Sequence, residues 1–184
     1  PNVYAYGSGM SFTNCCTAPA VAGIGNIAAD PLFVNAAAGD YRLQTNSPCI
    51  NAGTNQTGMA GATDLDGRPR VIQGIVDIGA YEALLPGWDE DADGLPDEWE
   101  WDRARTLTGL APDADADGDG ADNLAEYGAD TDPFSGSSLL MLTSIAPEAG
   151  GMRVAWRGGR NAWQYLERST NLNDGAAGWT PVRT

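Results

Sequence analysis

Along residues 1–84 the apolar positions come in very short runs: Asn2–Tyr6, Ser11–Asn14, Gly25–Ala28, Tyr41–Leu43 and Val71–Ile75. Turn signals such as DP, GD, NSP, NAG and DG separate them. This pattern predicts short strands joined by tight turns, and no helical period of any length appears. A sandwich, a barrel or a parallel β-solenoid fits such a segment. Residues 139–184 alternate differently: Met152, Val154 and Trp156 share one face of a predicted strand, and Arg153 and Arg157 share the other. Between these two stretches the period lengthens. Leu95, Trp99 and Leu107 recur at helical spacing, Leu110 continues the apolar contact, and Gly109 is the expected C-cap. Leu124, Ala125 and Tyr127 predict a second short helix ended by Gly128.

Charge sharpens this division into three modules, 1–84, 85–138 and 139–184. The chain has 184 residues and a net charge of −15. The first module carries −3, the second −14 and the third +2. The step in charge marks module boundaries. All ten basic residues are arginine, with no lysine or histidine. That composition excludes Ser-His-Asp and Cys-His catalysis, a lysine Schiff base and a P-loop. The acidity argues against nucleic acid or anionic lipid as partners. No apolar run reaches the ~20 residues of a membrane span. Opening on Pro1 without a signal sequence, the chain reads as a piece of a longer protein.

Within the acidic module the spacing of the carboxylates carries chemistry. Residues 89–100 read DEDADGLPDEWE and residues 115–126 read DADGDGADNLAE. Both fit the calcium-loop pattern D-x-D-x-D-G-x5-E. The expected ligands of the first loop are Asp89, Asp91, Asp93, the Leu95 carbonyl, Asp97 and Glu100. Those of the second are Asp115, Asp117, Asp119, the Ala121 carbonyl, Asn123 and Glu126. Calcium takes six to eight hard oxygens at about 2.3–2.6 Å, and alternating aspartates on a tight loop aim their carboxylates at one point. Gly94 and Gly120 supply the sharp turn. Two such loops 26 residues apart imply two calcium ions. No helix runs into either loop, so these are loop–helix units. Position eight, usually apolar, holds Pro96 in one and Asp122 in the other, which argues against a β-bridge between them. Asp113, Asp130 and Asp132 lie outside the loops and read as turn-capping residues.

The stretch DEDADGLPDEWE … DADADGDGADNLAEYGADTDP, residues 88–133 with its flanks, resembles thrombospondin type 3 repeats and dockerin loop–helix units of bacterial extracellular proteins. The resemblance implies structural calcium in a rigid spacer between domains. Upstream, GNIAADPLFVNAAAGDYRLQTNSPCINAG followed by TDLDGRPRVIQGIVDIGAYE resembles the closing end of bacterial right-handed parallel β-helix proteins. It implies that residues 23–83 form the last coils and cap, and that earlier coils precede Pro1. In a secreted protein of this kind a disulfide would tie an early coil to the SPC segment, as Cys16–Cys49 or, nearly as well, Cys15–Cys49. The C-terminal module looks like the first strands of a small β-sandwich.

Asp64 and Asp66 in TDLDG, with Arg68 and Arg70, are the candidate catalytic cluster, since a glycosidase needs a carboxylate pair. A turn built on Asp and Gly with locally paired arginines explains them better. Trp163, Tyr165 and Trp179 read as core aromatics before they read as a sugar-binding face. The expectation is therefore a mainly β, non-enzymatic, structural or adhesive segment of a secreted or cell-surface bacterial protein. Calcium makes it rigid, and open β-edges offer self-association into fibres. An extracellular glycan is the other expected partner. The alternative is the C-terminal part of a polysaccharide-degrading β-helix enzyme.

Overall fold

The computed structural model describes residues 11–19, 21–149, 151–159, 166–168 and 180–181. The expected strand at 2–6 and the aromatics Trp163, Tyr165 and Trp179 lie outside them. The chain forms two compact units, residues 1–92 with 96–108, and residues 93–95 with 109–184. Strand exceeds helix, and most of the chain is turn and irregular backbone.

In the first unit, β1 (Phe33–Asn35) and β2 (Asp40–Leu43) form an antiparallel hairpin, with Phe33 opposite Leu43. A 3-10 turn over Ala36–Ala38 joins them. Asn35 accepts from the Ala38 N–H at its start, and Gly39 closes it in the left-handed region at φ 79°. Phe33 and Tyr41 pack edge to face, 5.4 Å between centroids. Of the other expected strands, 11–14 is not formed, and 25–28 reduces to a single parallel bridge from Ile27 to Cys16. Residues 71–75 form a turn closed by an Ile72–Ile75 bridge. The described strands pair antiparallel, so the stacked coils of a parallel helix are not formed among them.

The two motifs quoted for the β-helix cap do come together. Gly53 N–H donates to the Val76 carbonyl at 2.9 Å and Ile78 N–H donates to the Cys49 carbonyl at 2.9 Å. Between those two bonds, Asp77 accepts from Asn51 N–H at 2.7 Å. SPCINAG thus lies beside VDIGAYE. The approach is close enough that a Cβ on Gly53 would stand 2.7 Å from the Val76 carbonyl oxygen. The apolar core of this unit is small: Ile72, Trp101 and Leu107, with Leu84 against them.

The first unit also contains α1 (Asp97–Ala104). It ends at Arg105, in the left-handed region at φ 57°, four residues before the expected Gly109 cap. Acidic Asp97, Glu98 and Glu100 occupy its first turn, where the helix dipole favours them. The second unit contains α2 (Asn123–Ala129), capped by Asp122, whose side chain accepts from Ala125 N–H at 2.8 Å. Gly128 lies inside α2, and Asp130 at φ 53° is the C-cap. Leu124 and Tyr127, the apolar residues of this helix, are exposed. Strands β3 (Met141–Glu148) and β4 (Gly151–Arg157) form the hairpin that the alternation predicts, with Leu142 opposite Trp156 and Ile145 opposite Val154. Its apolar side chains stay exposed, Ile145 at 60 % and Met152 at 59 %. A short antiparallel pair, β5 (Glu167–Arg168) and β6 (Thr180–Pro181), follows.

All three cysteines are free thiols, so the expected disulfide is not formed. Cys16 is the cysteine that approaches Cys49. Cys49 is fully buried, and its thiol is pushed up to about 12 by burial and by a hydrogen bond with Cys16. Cys16 itself donates to the Ala29 carbonyl at 3.2 Å, and Cys15 donates to Thr13 instead. A low thiolate fraction makes Cys49 slow to react until an oxidant activates Cys16. With oxidised glutathione as electron acceptor, we expect peptide mapping to find Cys16 joined to Cys49 and Cys15 unlinked. The closed loop of about 33 residues should add roughly 2–4 kcal/mol to the stability of the first unit.

Candidate metal centre

The two acidic loops share a set of corresponding backbone hydrogen bonds. Position nine donates its N–H to the carbonyl just before position one: Asp97 to Trp88 at 2.8 Å, Asn123 to Ala114 at 2.9 Å. Position seven donates to the position-five carboxylate: Leu95 to Asp93 at 2.8 Å, Ala121 to Asp119 at 2.9 Å. A turn precedes each loop, Trp88 N–H to Leu85 O and Ala114 N–H to Ala111 O. Position six is glycine at φ 101° and 98°, and each helix begins at position nine. The spacing of 26 residues is thus a structural repeat as well as a sequence one.

The second loop shows how its oxygens are divided. Asp115 accepts from the N–H groups of Gly118, Asp119 and Gly120 at 2.7, 3.2 and 2.9 Å. Asp117 Oδ1 and Asp119 Oδ1 accept from Asp119 and Ala121. Their second oxygens, Asp117 Oδ2 and Asp119 Oδ2, are buried and accept nothing. Asn123, 1 % exposed, turns its amide nitrogen outward to the Ala111 carbonyl at 2.7 Å and buries Oδ1 without a donor. Glu126, also 1 % exposed, takes the Thr131 hydroxyl on Oε1 at 3.3 Å and leaves Oε2 without one. Positions three, five, nine and twelve therefore each hold one buried, unclaimed oxygen. Burial and the charges of Asp117 and Asp119 push the Glu126 carboxyl up to about 6.

In the first loop, Asp89, Asp91 and Asp93 bring carboxylate oxygens within 4.8 Å of one another, as Asp115, Asp117 and Asp119 do in the second. Asp97 is fully buried, accepts Glu90 N–H on Oδ1 at 2.8 Å, and keeps Oδ2 buried without a donor. Burial raises its carboxyl above the usual range, opposed by that hydrogen bond and helped by the charges of Glu90, Asp89 and Asp91. Glu100 is fully buried, and so is Leu95. The donor set is all hard oxygen, with neither imidazole nor thiolate, which suits calcium or magnesium rather than zinc or copper. Buried carboxylate oxygens without donors are costly unless a cation meets them. The residues present fit such an ion. Sequence reasoning missed two of the groups that aim these oxygens, Thr131 and the Ala111 carbonyl; neither belongs to the loop pattern. Asp132 accepts from Phe134 N–H and caps a turn, as expected, and Asp113 is exposed.

The candidate catalytic cluster is built as structure. Asp64 accepts from Asp66, Arg68 and Glu82 N–H groups, each at 2.8 Å. Asp66 is held by Arg42 Nε and Nη2, both at 2.7 Å, which lowers its carboxyl. Asp77 accepts Asn51 and Ala83 N–H on its two oxygens. Glu82 accepts Asp77 N–H and pairs with Arg70 at 3.0 Å. Every carboxylate in TDLDG and its neighbours is thus engaged, Asp64, Asp77 and Glu82 by backbone N–H groups and Asp66 by an arginine. Comparison of the chain with protein-family models, with curated proteins and with solved structures returns no match.

Two expectations follow. Ala92 stands at φ 57° at position four, where the second loop has Gly118 at φ 79°. Ala92→Gly should stabilise the first loop by roughly 0.5–1 kcal/mol, read as a shift in thermal midpoint. Burial holds the Glu82 carboxyl at about 7, against 4.5 for a free glutamate. The native state therefore binds a proton that the unfolded chain releases between those values, so this group's contribution to stability falls as pH rises from about 4.5 to 7. Urea unfolding of wild type and Glu82→Gln across that range should show the difference between them changing in this window and flat above it.

Proposed function

We propose that residues 85–138 are a calcium-loaded loop–helix spacer, one ion in each loop. In this reading the spacer joins the end of a right-handed parallel β-helix to the start of a β-sandwich in a secreted or cell-surface bacterial protein. Its role is structural or adhesive. The observation that carries the reading is the set of buried, unclaimed oxygens at positions three, five, nine and twelve of the second loop, echoed by Asp97 in the first. The charge of the module supports it too, since sixteen acids face two arginines there. Extracellular calcium is abundant enough to load modules with dissociation constants of about 10⁻⁴–10⁻³ M. No helix among the described residues is long and apolar enough to cross a membrane. The β-helix part of the reading rests on the quoted motifs, on the pairing of SPCINAG with VDIGAYE, and on the parallel Cys16–Ile27 bridge. The exposed apolar hairpin β3–β4 supports self-association through open β-edges. Full engagement of Asp64, Asp66, Asp77 and Glu82 favours this reading over a polysaccharide-degrading one.

Calorimetry on metal-free protein should detect two calcium ions, with magnesium a poor substitute because it resists dehydration and demands a tighter octahedron. Chelation should reduce helical circular dichroism and open residues 85–138 to proteolysis, as metal-binding energy here acts as folding energy. The double variant Asp89→Ala, Asp115→Ala should lose both responses. Absence of calcium binding at millimolar concentration, with unchanged helix content and protease resistance on chelation, would overturn the reading.

A further inference from the structure

Three of the ten arginines of this strongly acidic chain line one cavity of about 310 Å³, together with Asp66 and Trp101. They are Arg42, Arg68 and Arg105, all in the first unit. Asp66 is the one acid in that lining and is already gripped by Arg42. Arg42 also gives Nη1 to Asp40 at 3.2 Å. Arg68 gives Nη1 to the Glu82 carbonyl at 2.9 Å, stands 3.9 Å from Asp66, and buries Nε without an acceptor. Arg105 has no carboxylate within ion-pair distance among the described residues; its guanidinium lies over the Trp101 ring, 5.8 Å from the centroid. Its backbone sits in the left-handed region at φ 57°, an unusual conformation for arginine.

A second cavity of about 430 Å³ shares Trp101 and Arg105, and Thr63, Thr106, Thr108 and Glu90 add polar groups to its wall. We propose that this double cavity binds an anionic saccharide, its carboxylate or sulfate on Arg42, Arg68 and Arg105 and its hydroxyls on the threonines and Glu90. Guanidinium is the side chain best suited to a forked oxyanion, because its planar donors match the oxygens and it gives up water readily. A concave site with an aromatic wall and a few placed polar groups suits a small ligand. Arg42 lies on β2, whereas Arg68 lies in a loop and Arg105 at a helix end, so the three cations do not follow one strand edge along which an acidic peptide would be added. Glu98 and Asp102 line a neighbouring cavity with Arg42 and Arg68, and their negative charge opposes an anion on that side, which favours the Arg105 side for the ligand's charged group.

This inference goes beyond the spacer reading and is tested with calcium saturating throughout, so its failure leaves calcium binding untouched. Titration calorimetry on the full chain would compare trigalacturonate, a sulfated disaccharide, maltotriose and a hexaglutamate peptide. We expect the uronate, the sulfated sugar or both to bind, which identifies the anion, and maltotriose and hexaglutamate to bind at least tenfold more weakly, on the order of one charge-assisted contact. Arg105→Gly keeps the left-handed cap and should weaken the anionic sugar roughly tenfold. Arg153→Ala, on β4, should leave binding unchanged, and thermal midpoints verify that both variants fold. Wild-type affinity in Arg105→Gly, equal binding of maltotriose, preference for hexaglutamate, or no binding at about 10 mM would each overturn the proposal.

Discussion

The repulsion among carboxylates forced into two short loops is the constraint on which the acidic module depends. At a few ångströms, like charges cost several kcal/mol at the effective dielectric of a protein surface. The loops do not relieve this by splaying outward. In the second, backbone N–H groups hold both oxygens of Asp115 and one each of Asp117 and Asp119, while the other oxygens of Asp117 and Asp119 turn into a space without donors. Asn123 and Glu126 are turned the same way by Ala111 and Thr131. The scaffold is complete on its outer side and unfinished on its inner side.

The first unit buries negative charge by the opposite means. Asp64, Asp77 and Glu82 are nearly as inaccessible as Asn123 and Glu126, yet their oxygens meet N–H groups of Asp66, Arg68, Glu82, Asn51, Ala83 and Asp77, and the guanidinium of Arg70. The same chain therefore contains buried acids that its own donors satisfy and buried acids that they do not. That contrast separates the two clusters more sharply than burial or raised carboxyl groups would, because burial raises Glu82 and Glu126 alike.

Much of the site was legible in the sequence because loop ligands are local. A six-residue alternation of aspartate with one glycine dictates its own geometry, and the two copies fold alike. What escaped was supplied from outside the pattern: Thr131 five residues past Glu126, and Ala111 before the loop. The helix ends were misplaced for a related reason. Gly109 and Gly128 look like caps, but Arg105 and Asp130 adopt the left-handed conformation that glycine usually serves. The short strands were the least legible part. Ser11–Asn14 and Val71–Ile75 carry β-branched or polar residues suited to strands, but pairing is a long-range matter, and isolated backbone bonds and a side-chain acceptor, Glu90 on Gln73 N–H, serve that backbone instead. By contrast the alternation of 151–157 was sufficient, since its partner is the adjoining segment of chain.

The contact at Gly53 has a bearing on kinship. Its N–H bonds the Val76 carbonyl while any side chain there would collide with that same oxygen and with the Val76 methyl. The bond and the collision share one cause, the nearness of two backbones, so neither can be relaxed without losing the other. Any sequence that builds this corner must therefore place glycine beside that carbonyl, whatever else it changes. For distant relatives whose overall resemblance has decayed, that pair, with the buried Asp77 between Asn51 and Ala83, is the place to anchor an alignment.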